Sequence, residues 1–254
     1  MLPLYEAKMI HHYDIRWATY EPDGSTRHLT PDELTGDFEP MPRYWVAESE
    51  VDRKLAGRSE KEAFLVWRDI CRPTDVRTVI ATKVPRLAFG NKLPLALTAS
   101  NPSELQAIWS SFTFDFVARQ KMGGTTLNFY ILMQLPMPTP AQVEASPIVF
   151  RTFVRDWIGE RVDRLNARPN GHNDDDRAWL RAELDALAAH LFGLSRDEID
   201  YVIGTFPIVR RQEEAAYGEF RSRRLILTAF DAMASARDIG LPYDSGHARM
   251  AVAQ

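Results

Sequence analysis

A single cysteine, Cys71, is all the thiol chemistry in these 254 residues, so no internal disulfide can form and no multi-cysteine zinc site can assemble. That usage fits a reducing compartment, and a cytoplasmic location is expected. Long apolar runs are missing as well. No stretch approaches ~18 uninterrupted apolar residues, and the opening MLPLYEAKMIHHYDIRW has no apolar segment after a basic start, so no membrane partner is expected. Charge of one sign is scarce. The formal net charge is -4, so a nucleic-acid surface would have to be a local patch. Internal repeats and low-complexity tracts are absent. With 45% hydrophobic residues, the chain can still bury a sizeable core, as one large domain or two modest ones.

What is present reads as a sheet followed by helices. Positions 4 to 13 and 15 to 21 alternate apolar and polar residues, giving two short strands, with Pro22-Asp23-Gly24 as a turn. A strand this close to the start suggests a truncated gene product. Thr30-Pro31-Asp32-Glu33 starts one helical turn that Gly36 stops, and a short charged helix spans 48 to 55. Strands are expected over 64 to 70 and 78 to 84, joined by a turn at Arg72-Pro73-Thr74-Asp75. Asn101-Pro102-Ser103-Glu104 caps a helix whose apolar residues Leu105, Ile108, Trp109, Phe112, Phe116 and Val117 recur at three and four, up to Gly123-Gly124. The segment 127 to 135 is apolar on both faces and predicts a central strand.

Pro136, Pro138, Pro140 and Pro147 mark a linker. Beyond them the pattern predicts helices over 148 to 165, 174 to 192, 195 to 205 and 213 to 234, then a loose tail. The expectation is an α+β protein: a sheet-containing recognition domain over 1–140 and a helical C-terminal segment over 141–254.

Several motifs, in order, resemble the C-terminal part of long bacterial DNA adenine-N6 methyltransferases, including single-chain type IIG restriction-modification enzymes and related phage-defence methylases. They are the opening LPLYEAKMIHHYDIRWATY, PRYWV (42 to 46), WRDICRPTDVRTVIATKVPR (67 to 86), GNKLPL (90 to 95), GGTTLNFYILMQLPMP (123 to 138) and the run from 193 to 233 beginning GLSRDEIDYVIG. The resemblance covers nearly the whole chain. It implies a target recognition domain that selects double-stranded DNA for methylation, followed by a helical closing segment. The family's Asn-Pro-Pro-Tyr motif and its glycine-rich loop for S-adenosylmethionine do not occur in this sequence. Asn101-Pro102-Ser103-Glu104 lacks the aromatic that would stack on an extruded adenine, and Gly123-Gly124 follows a helix instead of joining strand to helix. No cofactor is therefore expected on this chain. S-adenosylmethionine belongs to a catalytic domain acting in cis or in trans, and the chain alone is expected to be inactive, as a methylase fragment or as a separate specificity subunit.

Between residues 64 and 128 there are eight Lys/Arg and four acids, a modest local excess. Arg68, Arg72, Thr74 and Arg77 surround a turn and could reach base edges or phosphates. Lys83, Arg86, Asn91 and Lys92 flank the next loop as a possible phosphate clamp. Arg119, Lys121, Thr125 and Asn128 surround the glycine pair, where the backbone can approach phosphate closely. Lys8, His11 and Arg16 in the first strand pair could face DNA or the catalytic partner. Each set has an ordinary alternative as solvated surface charge or helix capping. Adjacent His11 and His12 would point to opposite faces of a strand, against a shared metal. Asp174-Asp175-Asp176 suggests a magnesium nuclease at first sight, but acids at a helix start serve its free amides.

Overall fold

The computed structural model describes residues 1–35, 37–98, 101–167 and 174–245. The expected stop at Gly36 and the tail beyond 245 lie outside the described residues. The chain opens with β1 (Leu2–Tyr5), a 3-10 turn at Ala7–Met9 and a hairpin of β2 (Ala18–Tyr20) and β3 (Thr26–His28). It continues with α1 (Pro31–Thr35), β4 (Trp45–Val46), α2 (Glu48–Leu55), β5 (Ala63–Trp67), β6 (Ala81–Pro85), β7 (Ala88–Phe89) and β8 (Leu95–Ala96). Helices follow: α3 (Pro102–Trp109), α4 (Phe112–Lys121), α5 (Phe129–Leu132), α6 (Pro140–Glu144), α7 (Val154–Ala167), α8 (Asp174–Leu191), α9 (Arg196–Gly204), α10 (Pro207–Tyr217) and α11 (Arg221–Asp238). The protein is α+β, as the alternation of patterns implied.

The strand β5 is central in the order β6-β5-β8, antiparallel to both neighbours, with Phe64 opposite Val84 and Trp67 opposite Ala81. Its unbroken apolar run follows from burial on both sides. Phe64 and Val66 face a cluster with Tyr5, Met9, Ile10, Tyr20, Val84 and Leu93, while Leu65 and Trp67 face the helices. The Trp67 indole N–H donates to the Leu127 carbonyl at 2.8 Å, so the ring is buried with its polar atom satisfied. On the helical side α8 packs along α11, and Arg161 and Glu183 form a buried pair at 2.8 Å that also takes the Tyr243 hydroxyl at 2.9 Å.

Four expectations are corrected. The strands expected over 4–13 and 15–21 are shorter, β1 ending at Tyr5 and β2 covering only Ala18–Tyr20; β1 lies between β4 and β7, and β2 pairs with β3 across the expected turn at 22–24. The helix after Asn101 breaks at Ser110-Ser111, because the Ser111 hydroxyl accepts from the Phe114 amide at 3.1 Å and restarts the helix as α4. The 127–135 segment is not a strand. Asn128 caps the single turn of α5 by accepting from the Ile131 amide at 3.0 Å, leaving Phe129, Tyr130 and Met133 exposed and only an isolated bridge between Thr126 and Ile70. The last predicted helix is two, α10 and α11, parted at Gly218, whose φ of 74° suits glycine.

Candidate nucleic-acid interface

Backbone hydrogen bonds bring four distant loops together. Asp69 N–H donates to the Lys92 carbonyl (3.1 Å), Leu127 N–H to the Asp69 carbonyl (2.7 Å), Cys71 N–H to the Thr125 carbonyl (3.2 Å) and Gly90 N–H to the Tyr5 carbonyl (2.9 Å). The 68–76, 90–92, 122–128 and 5–10 segments therefore share one surface. A groove of about 490 Å³ opens there between Lys8, Arg68, Asn91 and Lys92, with Glu6, Tyr20 and Ile70 completing its walls. A second groove shares Lys8 and Arg68 and runs on to Trp17, Arg27 and His28. Four of the residues singled out in the sequence thus converge. Arg72, Thr74 and Thr125 stand exposed on the adjoining loops, Lys121 stands exposed at the end of α4, and Asn128 stands exposed as the α5 cap.

The charges in the groove differ in availability. Lys8 is exposed, and Lys92 pairs with Asp69 at 2.9 Å while remaining half exposed. Arg68 donates through Nε to the Ile10 carbonyl at 3.1 Å, and burial lowers its guanidinium to about 10, which leaves it cationic at neutral pH.

The remaining candidates are turned elsewhere. Arg77 and Arg119 point inward to the fully buried Asp115, at 2.7 and 3.1 Å, and lie over the rings of Phe112 and Phe206 respectively. Their aliphatic stems and planar heads suit that position, which removes them from the surface a duplex could touch. Lys83 pairs with Asp163, Arg86 with Glu48 and Asp52, and Arg16 donates to the Glu33 carbonyl. Of the acidic triplet, Asp175 binds Arg221 and Asp176 lies 3.6 Å from Arg164. The expectation for the Asp174 side chain lies outside the described residues. Among the described residues no group of three potential ligands could hold a metal ion, and no helix is long and apolar enough to cross a membrane.

His11 stacks on Trp17 with ring centroids 4.2 Å apart, and burial, reinforced by Arg68, Arg181 and Arg77, pushes its imidazole down to about 3. His12 is more deeply buried and is held well below its ordinary value by the same causes, burial first. Asp185 is shifted the other way: burial raises its carboxyl to about 6. Unfolded imidazoles take up protons below about 6.5, so acidification through that range favours the unfolded chain for both histidines. Folded Asp185 binds its proton before the unfolded chain does, which favours the folded state in acid. Burial lowers His190 as well, so three effects act against one and stability is expected to fall as the pH drops from about 6 to about 5. Urea unfolding at the two pH values is expected to show that slope, and His12→Phe is expected to flatten it. An equal slope in that variant would remove His12 as its cause.

Sequence reasoning missed Trp17, Arg27 and His28 in the second groove. The aromatic beside Arg16 in the alternating opening was the available signal. No family model matches this chain, and neither the curated proteins nor the solved structures contain a match.

Proposed function

We propose that this chain recognises double-stranded DNA in a sequence-specific manner for an adenine-N6 methyltransferase or restriction-modification enzyme of phage-defence type. The convergence of Lys8, Arg68, Asn91 and Lys92 in one groove, from segments up to 84 positions apart in sequence, carries the reading. Lysine and arginine would set register on phosphates, and Arg72, Thr74, Thr125 and Asn128 on the adjoining loops would meet base edges. Arg77 and Arg119 serve as internal supports of those loops. S-adenosylmethionine and the methyl transfer would belong to a catalytic domain in cis or to a separately encoded methylase in trans, so this chain supplies specificity without chemistry.

Selection of bound duplexes from a random pool tests the proposal. The expected result is one enriched motif, bound with an affinity that falls as salt rises. Recovery of unenriched sequence together with salt-independent affinity would refute it.

A further inference from the structure

Behind the groove, between the 11–14 turn and the helices α8, α10 and α11, lies a separate cavity of about 380 Å³. His11 and Asp14 exchange backbone hydrogen bonds at 2.8 and 3.1 Å, which drives His12 and Tyr13 into the helical layer at the tip of a tight turn. Tyr13 has a φ of 54° and is buried. A bulky residue in the left-handed region is strained and persists because its surroundings over-determine it. Arg68 donates to the Ile10 carbonyl on one side of the turn, and Arg181 to the His12 carbonyl at 3.4 Å on the other.

The His12 ring is 5% exposed and lines the cavity, yet neither of its nitrogens has a hydrogen-bond partner in the protein. A buried polar group left in that state costs on the order of 1–3 kcal/mol and calls for a partner. The walls carry both signs of charge. Arg77, Arg181 and Arg221 face Asp185 and Glu213, while Val76, Phe112, Val209 and Ile226 supply apolar surface. A strongly anionic occupant would meet the carboxylates, and a cationic one the guanidinium groups. The fitting occupant is neutral, with apolar faces for the apolar walls and donors and acceptors along an edge for the polar ones.

We propose that this cavity binds a nucleobase, taken either as a free nucleoside or as an unpaired base of a bound nucleic acid, with His12 and Asp185 reading its polar edge. The site is independent of the surface groove, so it can fail while duplex recognition stands. The test titrates the purified chain with adenosine, guanosine, cytidine and thymidine by calorimetry. In a second arm, it is titrated with a duplex carrying a mismatched 2-aminopurine, whose fluorescence rises when the base leaves the stack. At least one arm is expected to respond, with a Kd of roughly 0.1 mM for a free nucleoside. His12→Phe removes the unpartnered nitrogens, and Ala216→Trp fills the exposed rim of the cavity without touching the core. Each should weaken the response at least about tenfold. Silence in both arms would overturn the proposal, as would a response insensitive to Ala216→Trp or a preference for zwitterionic amino acids over nucleosides.

Discussion

Replacing Asp115 with alanine is expected to cost about 3–5 kcal/mol of stability, close to a full unfolding of a marginal domain. Its carboxylate is completely buried and accepts from Arg77 Nε at 2.7 Å, Arg119 Nε at 3.1 Å and the Thr78 amide at 3.0 Å. Truncation leaves two guanidinium groups, only 13% and 11% exposed as side chains, without the carboxylate that both of them bond. Urea denaturation monitored by tryptophan fluorescence reads the loss, and a change under 1 kcal/mol would show that the pair has relaxed to solvent. A triple variant, Asp115→Leu with Arg77→Leu and Arg119→Leu, is expected to recover much of the lost stability. Removing all of the charges removes the desolvation penalty along with the attraction.

The second large effect is on binding. Lys8→Glu, Arg72→Glu and Lys121→Glu combined should lower affinity for duplex DNA on the order of 10²–10³-fold and reduce the salt slope by about two, one for each lysine taken off phosphate. All three residues are exposed, so folding should be spared. Reversing Arg86, already engaged by Glu48 and Asp52, should change little. If the triple variant bound as tightly as the parent chain, the groove and its adjoining loops would not be the contact surface. Reversal of Arg77 is a poor substitute, since it would unseat Asp115 and report on stability.

The helices with a strong apolar stripe were legible. Trp179, Leu180, Leu184, Leu187 and Ala188 in α8 are buried as their spacing requires, and Asn101 caps α3 by accepting from the Ser103 amide at 2.9 Å. The pairing of β5 with β6 could also be read, although 68–80 connects them with a longer excursion than a four-residue turn. The 127–135 segment was illegible because its apolar content is compatible with strand or helix, and one side-chain hydrogen bond from Asn128 decides between them. The same limit governed the site. Spacing identified Arg77 and Arg119 as cations near a turn; the Asp115–Arg119 pair, four positions apart on the expected helix, was readable, whereas the reach of Asp115 to Arg77, 38 positions away, arises only in the folded chain. Groove membership for Lys8 and Lys92 likewise arises from pairing between loops remote in sequence.

The double-sided burial of β5 has a mechanical result. Phe64 and Leu65 are adjacent in the chain, yet each is a keystone of a different apolar cluster. Loosening either cluster strips one face of the same strand, so a substitution that opens one cluster is expected to lower the stability of the other as well. The amides of this strand are expected to be among the slowest to exchange, a result that native-state hydrogen exchange would read directly.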